Sequence, residues 1–571
     1  MLQRQRVLDQ VRRQPGVAVL IVGGGINGCG LFRDLTLQGV RVLLVDKSDF
    51  CSGASAAPSR MIHGGLRYLE FGEFRLVREA LKDRNLLLQN ARHYVFPLPT
   101  TIPIFAWLAG VGGSIRRFLG LRGPRSVRRG ALMVKLGLTF YDVFTRKSRL
   151  MPRHKFTSRA ASLARRPQLH PAIVRTATYY DAWIAYPERL GLELLLDGEA
   201  SCPQAQALNY VSLQAATGDT VSLRDELSGE VLVVRPQVVV NATGGWIDFT
   251  NHALGHQTRM IGGTKGAHLV LDNPTLYETL QGEMIYYETA DGRVAIALPW
   301  LGRALIGSTD VHCGNPDDVR VTEQEIDYIL ESIRRVLPEI DVNQSQILSY
   351  FTGVRPMKST AGAATVEASR DHECAVLEPT ADLRIPVCSM IGGKWTTFRA
   401  FAEQVTDRLL DRLGQSRRAG TEQLAIGGGK DYPQDELAKQ RWLTRLHEAT
   451  GLSPDRLTEL LNRYGTRAEA VTQFLAGGPD EPLRQHAGYS RREIEFLVRH
   501  EKIVRLDDLV LRRTAIALLG ELTGELLQEL TGIVAPLLGW SNAVADRERR
   551  QTAKLLRDRY GLRSLGPDDA A

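Results

Sequence analysis

Three consecutive glycines, Gly23 to Gly25, follow a run of branched apolar residues, and Gly23, Gly25 and Gly28 fit G-x-G-x-x-G. That spacing suits a phosphate. Glycine permits a tight turn, lets the backbone approach a pyrophosphate, and lets the next helix pack close to its sheet. Asp46 stands 21 positions after Gly25, where a carboxylate accepts a ribose hydroxyl and disfavours a 2′-phosphate. FAD or NAD is therefore favoured over NADP. Two further glycine-rich turns repeat the arrangement, "NATGGW" at 241–246 and Gly392-Gly393-Lys394. The last would direct a helix N-terminus and a lysine at a ligand. An ordinary glycine turn is the rival reading, but here strand, turn, helix, strand and acid stand in register.

The elements that must hold these residues can be read from periodicity. Residues 17–22 and 40–45 are expected as buried strands, and 27–38 as a helix with Leu31, Leu35 and Leu37 among its apolar positions. The spacing of Phe74, Val77, Leu81 and Leu88 predicts a helix over 73–89. Residues 231–240 read as a strand, 262–309 as an antiparallel sheet, and 385–413 as strand, glycine turn and helix. From about 430 the chain turns to Leu-, Glu- and Arg-rich helical periodicity.

Composition bounds the function. A chain of 571 residues is long enough for two or three domains, and its 43% apolar and 24% charged residues are ordinary for a globular protein. The net charge of +8 favours anionic partners. Six cysteines (29, 51, 202, 313, 374 and 388) are scattered without metal spacing, which suits free thiols in a reducing compartment, and no metal is expected. The N-terminus is basic but lacks the apolar core of a secretory signal. Residues 94–115 form the one long uncharged stretch, and its prolines argue against a spanning helix.

Residues 104–150 hold ten Arg or Lys against one acid, Asp142, with Phe105, Trp107, Leu108 and Phe118 interleaved. An interfacial membrane segment needs that mixture of apolar burial and attraction to phospholipid. A solvated loop and helix of a basic protein is the alternative. An RNA-binding surface is a third, with no nucleic-acid module to accompany it.

The motifs "GGGINGCG", "ASAAPSRMIHGGLRYLEFGEFRLVREAL", "NATGGW", "TKGAHLV", "ALPW", "STD", "TGVRPM", "SRD" and "GGKWTTFRAFAE" follow one another over residues 17–412. In that order the chain resembles the FAD-dependent glycerol-3-phosphate dehydrogenases of aerobic metabolism, within the glycine/D-amino-acid oxidase-like flavoproteins. "RYGT" and "VRHEKIVRLDDLVLRRT" continue the resemblance into the C-terminal helices. It implies an α/β fold: a Rossmann-like FAD-binding domain of the glycine/D-amino-acid oxidase type, an antiparallel-sheet substrate domain and a C-terminal α-helical domain. The expected divisions are a basic segment at 1–15, the FAD-dependent oxidoreductase region at 16–412, a linker at 413–429 and the helical domain at 430–571. Within the second, 16–100, 170–260 and 350–412 are expected to bind FAD, with substrate or cap segments at 101–169 and 261–349.

Carried over by position, the family's FAD contacts fall on Gly23, Gly25, Asn27, Gly28, Asp46, Ser59, Gly64, Gly65, Thr243, Gly244, Gly393 and Thr396. Its substrate-side residues fall on Arg67, Tyr68, His268, Arg355, Arg370 and Lys394, with Asp310 in the same strand region. The chain departs from the family pattern at Gly245, Ser308 and Trp395. Oxidising a secondary alcohol requires a proton acceptor at oxygen and a hydride acceptor facing carbon. His268 is the expected base, since imidazole can be neutral near pH 7 and still accept a proton; a structural histidine is the competing role. Arg67, Arg355 and Arg370 offer forked donors to a phosphate dianion, Tyr68 adds a hydroxyl, and Lys394 would contact substrate or polarise the flavin edge.

The resemblance implies oxidation of sn-glycerol 3-phosphate to dihydroxyacetone phosphate, with electrons passing to a membrane quinone. Expected partners are a phosphorylated polyol, the quinone and an anionic membrane surface, with no nucleic acid; a homodimer stays open beside a monomer. The expected location is cytoplasmic, on the inner face of the cell membrane. Rival readings are a dehydrogenase of a longer polyol phosphate such as erythritol 4-phosphate, an oxygen-using oxidase, and a flavin-bearing basic adaptor without turnover.

Overall fold

The computed structural model describes residues 2–65, 73–107, 130–145, 150–359 and 372–566. Its first sheet explains why several strands read as unbroken apolar runs. Gly16–Val22 lies parallel to both Val42–Val45 and Val231–Asn241, and Gln206–Leu208 and Val387–Ile391 continue the sheet on either side. Parallel strands need crossover connections that cover both faces, so no solvent-facing polar alternation survives. On one face Val19 and Ile21 pack with Phe32, Leu35, Leu194 and Phe401 from the helices Ile26–Leu37, Pro187–Ser201 and Phe398–Arg412. On the other, Leu20 and Val22 pack with Val7, Leu8 and Val11.

Those last three belong to a helix, Leu2–Arg13. The segment expected as a basic extension at 1–15 is therefore a packed element, with Arg4 paired to Asp225 at 2.7 Å. Three apolar residues at i, i+1 and i+4 suffice to bury one face of a short helix, and a charge count does not register them.

Among the described residues, the second sheet has ten strands. At its centre Thr264–Leu271 pairs antiparallel with Arg303–Gly307 and with Ile347–Arg355. Val294–Trp300 and Met284–Glu288 extend it. Val95–Ile104 and Arg175–Ile184, paired along their whole length, extend it again. Val95–Ile104 spans the boundary expected near 100, and Arg175–Ile184, inside the segment expected at 170–260 to bind FAD, is a strand of the second sheet. Periodicity identifies the faces of a strand, while the sheet it joins is set by pairing partners distant in sequence. Val95–Ile104 also accounts for the first part of the uncharged stretch, whose residues 108–115 lie outside the described residues. Because proline cannot donate to a ladder, the parallel pairing with Met284–Glu288 touches only Thr100 and Thr101, between Pro99 and Pro103.

Each face of this sheet has its own cover. Leu269, Leu271, Ile285 and Ile306 pack on Ile326, Ile329, Leu330 and Ile333 of the helix Glu323–Arg334, which starts at a reciprocal Thr322/Glu325 capping box. Val270, Leu298, Trp300, Leu305 and Phe351 on the opposite face share a core with leucines of the C-terminal helices. Those helices include Pro454–Tyr464, Arg491–His500, Gly524–Leu538 and Asn542–Tyr560, capped by Ser453, Ser490, Thr523 and Ser541. Each cap contributes about 1 kcal/mol.

The expected linker at 413–429 is fastened throughout. Arg417 pairs with Asp34 at 2.8 Å, Gln38 Oε1 accepts from the backbone of Arg418 and Ala419, and Ile426 N donates to Asn90 O at 2.8 Å. The C-terminal domain is thus held to the rest by its connection as well as by its core.

Candidate active site

A cleft of about 880 Å³ lies where the two sheets and the C-terminal helices meet. The first sheet contributes Gly23, Gly25, Asn27, Asp46, Thr243, Gly244, Gly393 and Lys394 to its lining. The second contributes Gly266, His268, Thr352 and Arg355, and the C-terminal domain adds Arg505, Asp507, Arg512, Gln551, Leu555 and Arg559.

The glycine turn is built by close approach. Gly23 has φ +109°, and a Cβ there would lie 2.6 Å from Ala242 O; a Cβ on Gly28 would lie 1.9 Å from Gly23 O. The helix Ile26–Leu37 can therefore rest directly on the turn. Its first donor, Ile26 N, bonds to Ser55 Oγ at 2.9 Å. Asp46 accepts from Gly24 N at 2.7 Å and Ser48 N at 2.8 Å. Burial pushes its carboxyl up to about 6, against the opposing pull of those two N–H groups. Asn27 Nδ2 donates to Gly392 O at 3.0 Å, whereas its Oδ1 is buried without a hydrogen-bond partner.

Gly392 and Gly393, both left-handed, turn the chain past Asn27, and Lys394 follows them. The next helix starts only at Phe398. Lys394 therefore sits in the turn, correcting the expectation that it opens the helix.

The other end of the cleft lies on the second sheet. His268 Nε2 is 2.8 Å from Ser59 Oγ, and the ring stacks on Phe351 at 5.3 Å. Its Nδ1 is buried and has no hydrogen-bond partner. Burial first, then Arg355 and Arg60, hold the imidazole down to about 3, so it is neutral at physiological pH. Arg355 lies across Gly266, where a Cβ would meet Nη2 at 2.0 Å, and a Cβ on Gly307 would meet the His268 ring at 2.5 Å. Glycine at both positions leaves room for the His268 and Arg355 side chains. The Arg355 fork bonds to Asp310 Oδ1 and Ser308 Oγ at 3.0 Å each, and to Thr309 O.

Of the residues expected at the cofactor, Gly23, Gly25, Asn27, Asp46, Ser59, Thr243, Gly244 and Gly393 line the cleft. Gly28, Gly64, Gly65 and Thr396 do not. Gly28 sets helix packing, Gly64 N donates to the buried Asp181 at 2.9 Å, Gly65 occupies a left-handed turn, and Thr396 Oγ1 accepts from His63 N at 3.2 Å. They shape the walls behind the lining. Of the substrate-side set, His268, Arg355 and Lys394 come together in one cleft. Arg67, Tyr68 and Arg370 lie outside the described residues, as does most of the basic run at 104–150.

Sequence reading missed Ser55, Thr352, whose Oγ1 is also buried without a partner, and the whole C-terminal wall. Ser55 lies within a quoted motif; the C-terminal arginines carry no spacing that distinguishes them from surface charge. The glycine turn, the Asp46 acceptor and the unsatisfied Asn27 and Thr352 oxygens together fit FAD, whose phosphates, ribose hydroxyls and ring edge need that mixture of donors and acceptors.

Comparisons with known proteins agree. Residues 18–376 match the family model described as FAD dependent oxidoreductase, and 419–545 match the C-terminal domain of alpha-glycerophosphate oxidase. The chain is 31% identical over 564 residues to a glycerol-3-phosphate dehydrogenase of Synechocystis sp., covering 93% of this chain and 94% of that protein. It is 29% identical over 508 residues to D-erythritol 1-phosphate dehydrogenase of Brucella abortus, covering 87% and 93%. The crystal structure of glycerol-3-phosphate dehydrogenase from Bacillus halodurans complexed with FAD shares the fold, with a TM-score of 0.74 at 20% identity over 98% of this chain and 97% of that one.

Proposed function

This chain belongs to the FAD-dependent glycerol-3-phosphate dehydrogenase family, and on that premise we propose that it oxidises sn-glycerol 3-phosphate to dihydroxyacetone phosphate and passes the electrons to a membrane quinone. The observation that carries the reading is His268 and Arg355 on paired antiparallel strands, lining the same cleft as the dinucleotide turn.

Bound along Gly23, Gly25, Asp46, Thr243 and Gly393, FAD supplies the acceptor for the hydride that leaves the alcohol carbon. His268 takes the proton from the alcohol oxygen. The imidazole is neutral at physiological pH and so has a lone pair to accept it. Arg355 receives the phosphate, with its fork already oriented by Ser308, Thr309 and Asp310. A dianion there opposes the positive charge that depresses the imidazole, so substrate binding strengthens the base. Lys394 adds positive charge to the cleft wall, which favours the negative charge that accumulates during the reaction.

A membrane acceptor is supported by the helix Ala131–Thr145, which exposes Leu132, Leu136 and Phe140 at i, i+4 and i+8 while burying Leu138 and Tyr141. An apolar stripe beside a basic segment suits the surface of an anionic bilayer. Among the described residues, no helix is long and apolar enough to cross a membrane.

The test is anaerobic bleaching of the flavin by glycerol 3-phosphate, with D-erythritol 1-phosphate, glycerol and NADH in parallel. Bleaching at the lowest concentration by glycerol 3-phosphate supports the reading. Preference for the four-carbon phosphate transfers the mechanism to the substrate class of the Brucella relative, and no bleaching by any alcohol phosphate in FAD-loaded protein overturns it.

A further inference from the structure

The loop that carries Asp46 is gripped by the C-terminal domain. Asp49, fully buried, accepts Nη1 and Nη2 of Arg513 at 2.7 and 2.9 Å, Nε of Arg512 at 2.5 Å and Nδ2 of Asn209 at 2.9 Å. Arg512 Nη2 reaches on to Asp507 and Asp508 at 2.8 Å each, and Tyr210 OH donates to Asp508 at 2.6 Å. Arg513 Nε donates to Glu501 O, and Arg189 bonds both to Glu501 and to Arg513 O. The two consecutive arginines stand in a π-helical turn, Leu509–Arg513.

Asp49 is three residues from Asp46, and the loop between them is tied to the glycine turn at both ends. Gly24 N donates to Asp46 Oδ2, and Cys51 N donates to Gly24 O at 2.9 Å. The Asp49 carboxylate therefore lies between the two points that fix the ribose acceptor. Two buried arginines on one buried carboxylate hold Asp49 well below the usual carboxylate range. If one partner is lost, the remaining charges are uncompensated in a dry site, and the loop must shift or admit water.

We propose that the Asp49–Arg512–Arg513 clamp is a positioning element of the FAD site, so that docking of the C-terminal domain and retention of the cofactor are one coupled event. The proposal rests on FAD occupying this cleft and is independent of which polyol phosphate is oxidised. The same domain holds an internal comparison. Glu493 accepts from Arg456, from Arg463 at 2.6 Å and from Tyr464 at 2.5 Å, and none of these residues lines the cleft.

The experiment strips flavin from the full chain, titrates FAD back by fluorescence, and records thermal unfolding of the flavin-free protein. Asp49→Asn and Arg513→Lys should each raise the FAD dissociation constant about tenfold or more, and increase hydrogen exchange in residues 46–51. Glu493→Gln should lower the melting temperature with FAD affinity unchanged. Arg513→Lys keeps the buried charge and removes only the fork, so it serves where Asp49→Asn does not fold. Wild-type affinity in the two clamp variants overturns the proposal, as does a loss in Glu493→Gln that matches theirs at equal melting temperature. Wild-type protein that takes up no FAD overturns the cofactor assignment and the clamp's role with it.

Discussion

His268 Nε2 and Ser59 Oγ, 209 positions apart in the chain, lie 2.8 Å from each other at the cleft. The contact fixes the plane of the ring and leaves Nδ1 as its one buried nitrogen without a hydrogen-bond partner.

His268→Asn should lower kcat/KM by about 10²- to 10⁴-fold while FAD content stays at the wild-type level. Because burial and two arginines hold the imidazole near 3, protonation does not compete with catalysis above about pH 5. In FAD-saturated enzyme the acid limb of kcat/KM should be only that of the phosphate monoester's second ionisation, at about pH 6, and should be the same in His268→Asn; an additional acid limb near the ordinary histidine value that vanishes in His268→Asn would contradict the assigned environment.

Arg355→Ala should weaken substrate binding by about 2–3 kcal/mol, roughly 30- to 150-fold in KM, through loss of charge-assisted hydrogen bonds to phosphate. Arg355→Lys should restore little, because an ammonium cannot use the preset Ser308 and Asp310 partners and grip phosphate as a fork does. An unchanged KM in both variants would remove this residue from the phosphate site.

Asp46 should make FAD affinity pH-dependent. Its carboxyl titrates at about 6, and a ribose hydroxyl donates to the ionised form, so affinity is full above pH 7 and falls as pH drops through 6, approaching tenfold per unit. The folded flavin-free protein has the opposite dependence at this group. A raised carboxyl favours the fold below its unfolded value, and that contribution is lost as pH rises through 6. Asp83, raised to about 6, and Asp508, raised to about 7, add to the thermal profile with the same sign. FAD affinity is therefore the readout, and Asp46→Asn should abolish its acid dependence.

Replacing Leu132, Leu136 and Phe140 together with serine removes about 1.5–3 kcal/mol of apolar burial per residue at a bilayer, and should cut binding to anionic vesicles by more than about a hundredfold. Flavin content should be unaffected. Unchanged vesicle binding would assign attachment to another surface.

The local elements were legible wherever one covalent neighbourhood carries the signal. The turn at Gly23 to Gly28, the helix Phe74–Asn90 and the strand Val231–Asn241 follow from apolar periodicity and glycine placement. The strap at 413–429 was not legible, because its hydrogen bonds run to Gln38, Asn90 and Asp34, far away in sequence. Pro97, Pro99 and Pro103 argued against a spanning helix, but not until Arg175–Ile184 is paired alongside do residues 95–104 become a strand of the second sheet.

The sequence by itself determined a dinucleotide cofactor, since a phosphate turn and a carboxylate at fixed spacing depend only on local backbone geometry, and its family resemblance pointed to His268 and Arg355 as candidate site residues. The tertiary structure decided their company: His268 beside Ser59, Arg355 held by Asp310, and Asp49 between two arginines more than 460 positions away. Burial, ionisation and orientation arise from those long-range contacts, and no local pattern encodes how a low-dielectric cleft will be assembled from three separate parts of the chain.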